Sequence, residues 1–268
     1  DNLNRKKNVI LQGPPGVGKT YLAKRLAYLL MGHKDQSRVE MIQFHQSYAY
    51  EDFIQGWRPT EDGGFSLRNG IFYTFCKAAS LSDQKHVFII DEINRGNLSR
   101  IFGELMMLIE SDKRGPDFSI PLTYSKNGDD DFYVPKNVYV MGLMNTADRS
   151  LAMVDYALRR RFTFMTLKPQ FESDSFQEHL RNRGADKQLV AKIVNKMMRL
   201  NDEIALDTKN LGPGYVVGHS FFCPSSTEIA LDEDWYTTVI NNEVAPLLYE
   251  YWFDDPNKVD SMVESLLE

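Results

Sequence analysis

The eight residues GPPGVGKT, Gly13 to Thr20, restrict this chain more than any other stretch. They satisfy G-x-x-x-x-G-K-[ST] at every fixed position. Before them lies NVILQ (Asn8 to Gln12), a short apolar run that reads as a buried strand. After them comes TYLAKRLAYLL, whose Leu22, Leu26, Leu29 and Leu30 recur at helical spacing. A strand, a glycine turn and a helix in that order gather backbone N–H groups at a helix N-terminus, where the axial dipole favours an anion. Gly13, Gly16 and Gly18 let the backbone wrap tightly, and Pro14, Pro15 and Val17 complete the loop. Lys19 can reach the β- and γ-phosphates of a nucleotide, the Thr20 hydroxyl can ligate Mg²⁺, and Tyr21 follows them into the helix. A glycine turn that only starts a helix is the bland alternative, and the complete match in the right context sets it aside.

VFIIDE, Val87 to Glu92, supports the same reading. Four apolar residues form a buried strand with Asp91 at its carboxyl end, where ligands bind in open α/β sheets. Asp91 suits a Mg²⁺ ion held through water, and Glu92 can orient an attacking water or accept its proton. A lone Asp-Glu pair at a strand end is common by chance. Downstream of a complete phosphate loop it gains meaning.

The rest of the pattern sets the frame. VEMIQFH reads as a strand, YEDFIQGW as a short helix and RPTEDGGFSLRNG as a hairpin or loop. GIFYTFCKAASL reads as a helix, and LSRIFGELMMLIES as one amphipathic helix capped at Asn97 or Ser99. FSIPLTYS and DFYVPKNV flank KNGDDD as a second β-hairpin. VYVMGL is a strand, SLAMVDYALRRRF a helix, and TFMTL a short strand. After Pro169 the strand signals stop. DSFQEHLRNRG, KQLVAKIVNKMMRLNDEIAL and EDWYTTVINNEVAPLLYEYWF read as helices around the loop LGPGYVVGHSFF. Strands and helices in alternation, followed by helices alone, predict an α/β core with a parallel sheet over 1–168 and a smaller all-helical subdomain over 169–268.

MNTADRS, Met144 to Ser150, stands where the VYVMGL strand ends. One reading is a degraded N-K-x-D guanine reader. Thr146 occupies the lysine position of that element and removes half its mechanism. The other reading places this strand between the acidic strand and the phosphate-loop strand, so that Asn145 faces the γ-phosphate or the attacking water. The second reading is the stronger.

These features together resemble the AAA+ NTPases. MNTADRSLAMVDYALRRRF, FHQSYAYEDFIQGWRP, FIIDEINRGNLS, GELMMLIESDKRG and VGHSFF are similar to the McrB-type motor subunits of modification-dependent restriction systems, over almost the whole chain. The resemblance implies a GTP-preferring hydrolase with Mg²⁺ as cofactor, a hexameric ring and a McrC-type nuclease subunit as partner. It also implies DNA contact mainly through a preceding domain and that partner. The chain opens on Asp1 with no initiator methionine, which fits a start inside a longer protein. The two hairpins resemble insertions of the branch that also holds MoxR-like ATPases. A MoxR-like ATP-dependent remodelling protein and a nucleotide-gated assembly platform are the competing functions.

Within that frame Arg159, Arg160 and Arg161 gain a role. Three adjacent cations at a helix end repel one another unless anions are near, and in a ring they can reach a neighbour's nucleotide. Arg160 and Arg161 are the preferred fingers. Asp148 and Arg149 either pair locally or couple subunits. Many AAA+ lids supply an arginine, but LGPGYVVGHSFF contains none, so His219 and Ser220 are the polar candidates there.

Composition excludes several classes. A net charge of -6 argues against a general nucleic-acid-coating protein. Two distant cysteines, Cys76 and Cys223, suggest a reducing, cytoplasmic setting with neither a disulfide framework nor a zinc site. No run of about 20 apolar residues exists to cross a membrane.

Overall fold

The computed structural model describes residues 2–125, 131–148 and 156–268. The chain divides into two units. The first comprises Asp1–Gln12, Thr20–Met144 and Ser150–Thr166, and the second Gly13–Lys19, Asn145–Arg149 and Leu167–Glu268.

The first unit opens with α1 (Asn2–Lys6), β1 (Asn8–Gly13) and α2 (Lys19–Met31). It continues through β2 (Val39–Gln43), α3 (Tyr50–Phe53), β3 (Gln55–Pro59), β4 (Phe65–Asn69), α4 (Ile71–Ser80) and β5 (His86–Asp91). Then come α5 (Leu98–Phe102), α6 (Leu105–Leu108), β6 (Val138–Asn145), α7 (Tyr156–Arg161) and β7 (Thr163–Thr166). Five strands form one parallel sheet in the order β2-β5-β6-β1-β7. β6 thus lies between the acidic strand and the phosphate-loop strand, as MNTADRS required. β3 and β4 form the antiparallel hairpin expected in RPTEDGGFSLRNG, but it begins earlier: of YEDFIQGW only Tyr50–Phe53 is helical, and Gln55, Gly56 and Trp57 already pair in the ladder.

The central strands are buried along nearly their whole length, which their β-branched, apolar sequences permit and a parallel sheet demands. An aromatic cluster packs α3, α4 and α5 against β5. Phe53 stacks on Phe72 with ring centroids 4.8 Å apart, and both meet Phe88 edge-on. Phe102 closes the cluster at 4.8 Å from Phe53. Such pairs each add about 1 kcal/mol beyond the area they bury. They seat β5, and with it Asp91.

Other expectations in this unit change as well. The stripe on α2 is centred on fully buried Ala23 and Ala27, while Leu29 is 78% exposed. LSRIFGELMMLIES is two short helices, because Gly103 adopts φ +49° and interrupts the ladder. Asn97 is its cap, accepting from the Arg100 N–H at 3.1 Å. The second hairpin reduces, among the described residues, to a single antiparallel bridge between Ile120 and Phe132. Pro121 and Pro135 flank it and lack the N–H a longer ladder needs.

The second unit carries α8 (Asp174–Asn182), α9 (Lys187–Leu206), α10 (Glu233–Val239), α11 (Ala245–Tyr251) and α12 (Pro256–Leu267). The long α9 buries Leu189, Val190, Ile193, Met197, Leu200 and Ile204 at helical spacing. They pack with Phe171, Phe176, Phe222, Tyr236 and Trp252 into a core of their own. The expected single helix over EDWYTTVINNEVAPLLYEYWF contains a π-helical segment, Ile240–Val244, just before Pro246. A proline ring there clashes with a regular α-helical turn, and the wider turn relieves it. α12 was not anticipated. Its signal is Asp255, which accepts from the Lys258 N–H at 3.2 Å, followed by Pro256 at the first helical position.

Candidate functional site

Gly13–Lys19 of the phosphate loop belong to the helical unit, and Thr20 to the first. Gly16 and Gly18 adopt φ +74° and +76°, the left-handed region a side chain resists. A Cβ on Gly16 would overlap the ring of Phe221, so this glycine is required by packing as well as by its dihedral. The Lys19 ammonium donates to the carbonyls of Gly13 and Pro14, each at 2.9 Å. Thr20 and Tyr21 lie in the first turn of α2. The Tyr21 ring is exposed and carries the Arg25 guanidinium 4.7 Å from its centre.

Asp91 ends β5 in the first unit. Its Oδ1 accepts from the Glu92 N–H at 3.0 Å, and its carbonyl accepts from the Phe44 N–H at 2.9 Å. Glu92 sits at φ 50°, ψ 43°, a left-handed conformation rare for a residue with a long side chain. Its carboxylate accepts from Arg95 Nε at 3.1 Å. Such a conformation costs a residue with a side chain about 1 kcal/mol or more.

Asn145 closes β6, its Oδ1 accepting from the Ala147 N–H at 3.2 Å. That bond turns the chain and holds the amide at the strand's carboxyl end. Asp148 is half-buried, and Arg149 lies outside the described residues.

The three arginines close α7 in the first unit. Arg159 and Arg160 are exposed, and Arg161 is largely buried. Glu110 holds Arg161 at 3.0 Å and lies 3.9 Å from Arg160, whose side chain is 79% exposed. The carbonyls at the helix end are also held. Lys6 Nζ donates to the Arg160 carbonyl at 3.0 Å and Asn8 Nδ2 to the Arg161 carbonyl at 3.1 Å.

Asn8 belongs to a buried polar cluster that sequence reasoning missed. Its Oδ1 accepts from Arg114 Nη2 at 2.8 Å, and its Nδ2 also donates to the Ile109 carbonyl at 2.7 Å. Arg114 is fully buried and donates further to the carbonyls of Ile109 and Val138. Burial lowers its pKa to about 10. The sequence shows only an arginine before a glycine, so nothing in its pattern announces the burial. Asn201 was missed for the same reason. Its side-chain amide both donates to the Val217 carbonyl, at 2.9 Å, and accepts from the Val217 N–H, at 2.6 Å.

His219 opens a 3₁₀ turn in the helical unit. Its Nδ1 accepts from the Gln170 N–H at 3.2 Å, which requires a neutral ring carrying its proton on Nε2. The Phe171 and Phe176 rings stand 6.4 and 5.8 Å away, edge-on. Burial holds its pKa below the ordinary 6.5. Below about pH 6.5 the unfolded chain takes up a proton that folded His219 refuses. The helical unit is therefore expected to lose stability as pH falls from there toward the folded pKa, with no contribution from His219 at higher pH. Melting temperatures of the wild type and of His219→Asn between pH 5 and 7.5 would test this. Equal acid slopes in the two proteins would count against it.

Among the described residues no group of three His, Cys, Asp or Glu stands ready to hold a metal, and no helix is long and apolar enough to cross a membrane. A hydroxyl on Thr20 and a carboxylate on Asp91 are a donor set too small for an all-protein cage. They fit Mg²⁺, which keeps its waters and takes further oxygens from nucleotide phosphates. When bound, that ion would neutralise charge on the β- and γ-phosphates.

A parallel sheet in this strand order, a complete phosphate loop after β1, an acidic pair after β5 and a polar strand end at Asn145 define an AAA-class nucleoside triphosphatase fold. Residues 8–162 match the family profile described as "AAA domain (dynein-related subfamily)", and the chain belongs to that family. Within it the chain is of the McrB type. Residues 192–260 match the profile described as "McrB, alpha-helical lid domain". The chain is 54% identical, over 99% of its length, to the "Type IV methyl-directed restriction enzyme EcoKMcrB subunit" of Escherichia coli K12, and spans 58% of that protein. It is 27% identical, over 95% of its length, to the "Type II restriction enzyme BsuMI component YdiS" of Bacillus subtilis 168, spanning 81% of it.

Proposed function

We propose that this chain is the nucleotide-hydrolysing module of a restriction motor. It would turn over GTP in preference to ATP, assemble as a ring, hexameric by resemblance, and work in the cytoplasm with a McrC-type nuclease subunit on modified DNA. What carries the reading is the intact phosphate loop on a chain 54% identical to a methyl-directed restriction subunit. The roles follow from chemistry. The loop N–H groups of Gly13, Gly16, Val17 and Gly18, shaped by Pro14 and Pro15, and the Lys19 ammonium take the phosphates. Thr20 and Asp91 hold Mg²⁺, directly and through water. Glu92 takes the proton of the attacking water, and Asn145 orients that water or the γ-phosphate. Arg160 and Arg161 reach a neighbouring copy's nucleotide, Asp148 and Arg149 serve coupling between copies, and His219 touches nucleotide from the lid. The preference for GTP rests on the sequence resemblance and on no residue that reads guanine.

The deciding experiment is side-by-side turnover of GTP and ATP, with and without the nuclease encoded next door. Turnover of GTP, weak alone and faster with the partner, is the expected result. Full turnover of ATP and none of GTP would refute the guanine preference and favour a MoxR-like remodelling ATPase. Asn145→Ala is expected to lower turnover by about 10²-fold, as loss of one positioned polar group at a reacting centre does. Its ratio of GTP to ATP affinity should stay within about threefold of the wild type. A large shift in that ratio would reinstate MNTADRS as a base reader.

A further inference from the structure

Thr146 has no task among the roles proposed so far, yet it bonds to two loops of the helical unit. Its backbone N–H donates to the carbonyl of Gly13, at the root of the phosphate loop, at 3.1 Å. Its Oγ1 donates to the carbonyl of Gly214, in the lid loop, at 2.8 Å. The fit is close, since a Cβ on Gly214 would lie 3.3 Å from the Thr146 carbonyl oxygen and 3.5 Å from its Cβ.

The lid loop continues onto the phosphate loop. The Gly218 N–H donates to the Pro15 carbonyl at 2.9 Å, and the Ser220 N–H to the Gly16 carbonyl at 2.7 Å. No side chain fits between them, because a Cβ on Gly218 would overlap the backbone of Gly16. Next in sequence, Phe221 lays its ring against Gly16. One residue before, Val217 is clamped at both its N–H and its carbonyl by Asn201 of α9. Four consecutive carbonyls of the turn, those of Gly13, Pro14, Pro15 and Gly16, thus accept from Lys19, Thr146 or the lid loop. The amides of a tight glycine turn point away from its carbonyls, toward the anion.

We propose that Thr146 is a positioning residue that fastens the lid loop, through Gly214, to the phosphate loop, and so controls how long a nucleotide stays bound. The lid loop lacks the arginine with which many lids hold phosphate. A backbone brace anchored by a threonine hydroxyl does the holding in its place, acting on the loop and not on the ligand. The hydroxyl matters because Gly214 accepts from it in a part-buried setting, where an unmet carbonyl is costly. Thr146→Val keeps the side chain's shape and the backbone bond to Gly13. It removes only the donor to Gly214.

The inference rests on Gly13 to Thr20 being a nucleotide site. The test is dissociation of fluorescently labelled GTP and ATP from the full chain, by stopped-flow chase, together with KM and kcat. Thr146→Val is expected to release nucleotide roughly tenfold faster, the loss of one hydrogen bond with its acceptor left unmet. KM should rise by a similar factor and kcat should change much less. Thr146→Ser, which restores the hydroxyl, should return both toward wild type. A residue that merely supports the fold would not split KM from kcat in this way, nor be rescued by serine. Wild-type dissociation rates in Thr146→Val, or failure of serine to rescue, would overturn the role of Thr146. A wild-type chain that binds neither nucleotide would instead overturn the site itself. Hydrogen exchange on the wild type supplies a measurement independent of the variant's folding. The Gly218 and Ser220 amides are expected to be protected, and free exchange at both would overturn the brace.

Discussion

Glu92→Gln is expected to lower nucleotide turnover by about 10²–10⁴-fold, the usual worth of a positioned general base, while the protein still binds nucleotide. The substitution keeps the size of the side chain and its ability to accept from Arg95 Nε, now 3.1 Å from the carboxylate. It removes the capacity to take a proton. The backbone also stays as it is, with Asp91 Oδ1 still accepting the residue-92 N–H. Phosphate release under saturating nucleotide measures the loss, and labelled-nucleotide binding the retention. Turnover within tenfold of the wild type would remove Glu92 from the role of base. In the presence of the nuclease partner, the motor reading adds that oligomers persist while DNA cleavage stops. Full cleavage by Glu92→Gln would point to a platform that needs nucleotide binding and not hydrolysis.

The arginines at the end of α7 carry the second large effect. Alanine at Arg160 or at Arg161 is expected to cut turnover by about 10³-fold or more, the range seen for arginines that meet transition-state charge. The structure separates the two. Arg161 is largely buried and held by Glu110, while Arg160 is four-fifths exposed with only a distant approach to the same carboxylate. Glu110 therefore sets where Arg161 points within its own copy, and Arg160 stands out into solvent. Mixing tests whether either acts across copies. An arginine variant keeps its own Glu92, and Glu92→Gln keeps its arginines. Two inactive proteins combined should regain activity at about a quarter of the interfaces of a randomly mixed ring. No recovery would place the arginines in the service of their own subunit.

Much of this frame was legible from local chemistry. The phosphate loop follows a strand and opens a helix, Asp91 ends a buried strand, and the strand bearing Asn145 runs between the two. Each of these is written in a short motif or an apolar run. What stayed hidden depends on contacts distant in sequence. The break at Gly103 and the π-helical segment before Pro246 are single-residue effects inside patterns that read as continuous helix. The α2 stripe misled because four leucines outweigh two alanines in any count of apolarity. The fully buried positions of the helix are instead the small residues Ala23 and Ala27. Arg114 and Asn201 are polar residues in the core, and periodicity marks such residues as surface. Their meaning comes from carbonyls many residues away: Val138 for Arg114, and Val217 for Asn201.

The left-handed backbone of Glu92 has a consequence for anyone seeking a hardier version of this protein. Glycine at position 92 would relieve a conformation that costs a side-chain-bearing residue about 1 kcal/mol or more. Glu92→Gly should accordingly melt above Glu92→Ala, although both lack the carboxylate. Selection for heat resistance alone would drift toward glycine or asparagine here, and enrich for proteins that survive but do not work. Retention of glutamate in the face of that drift would be the measure of how much activity is worth to the cell that carries it.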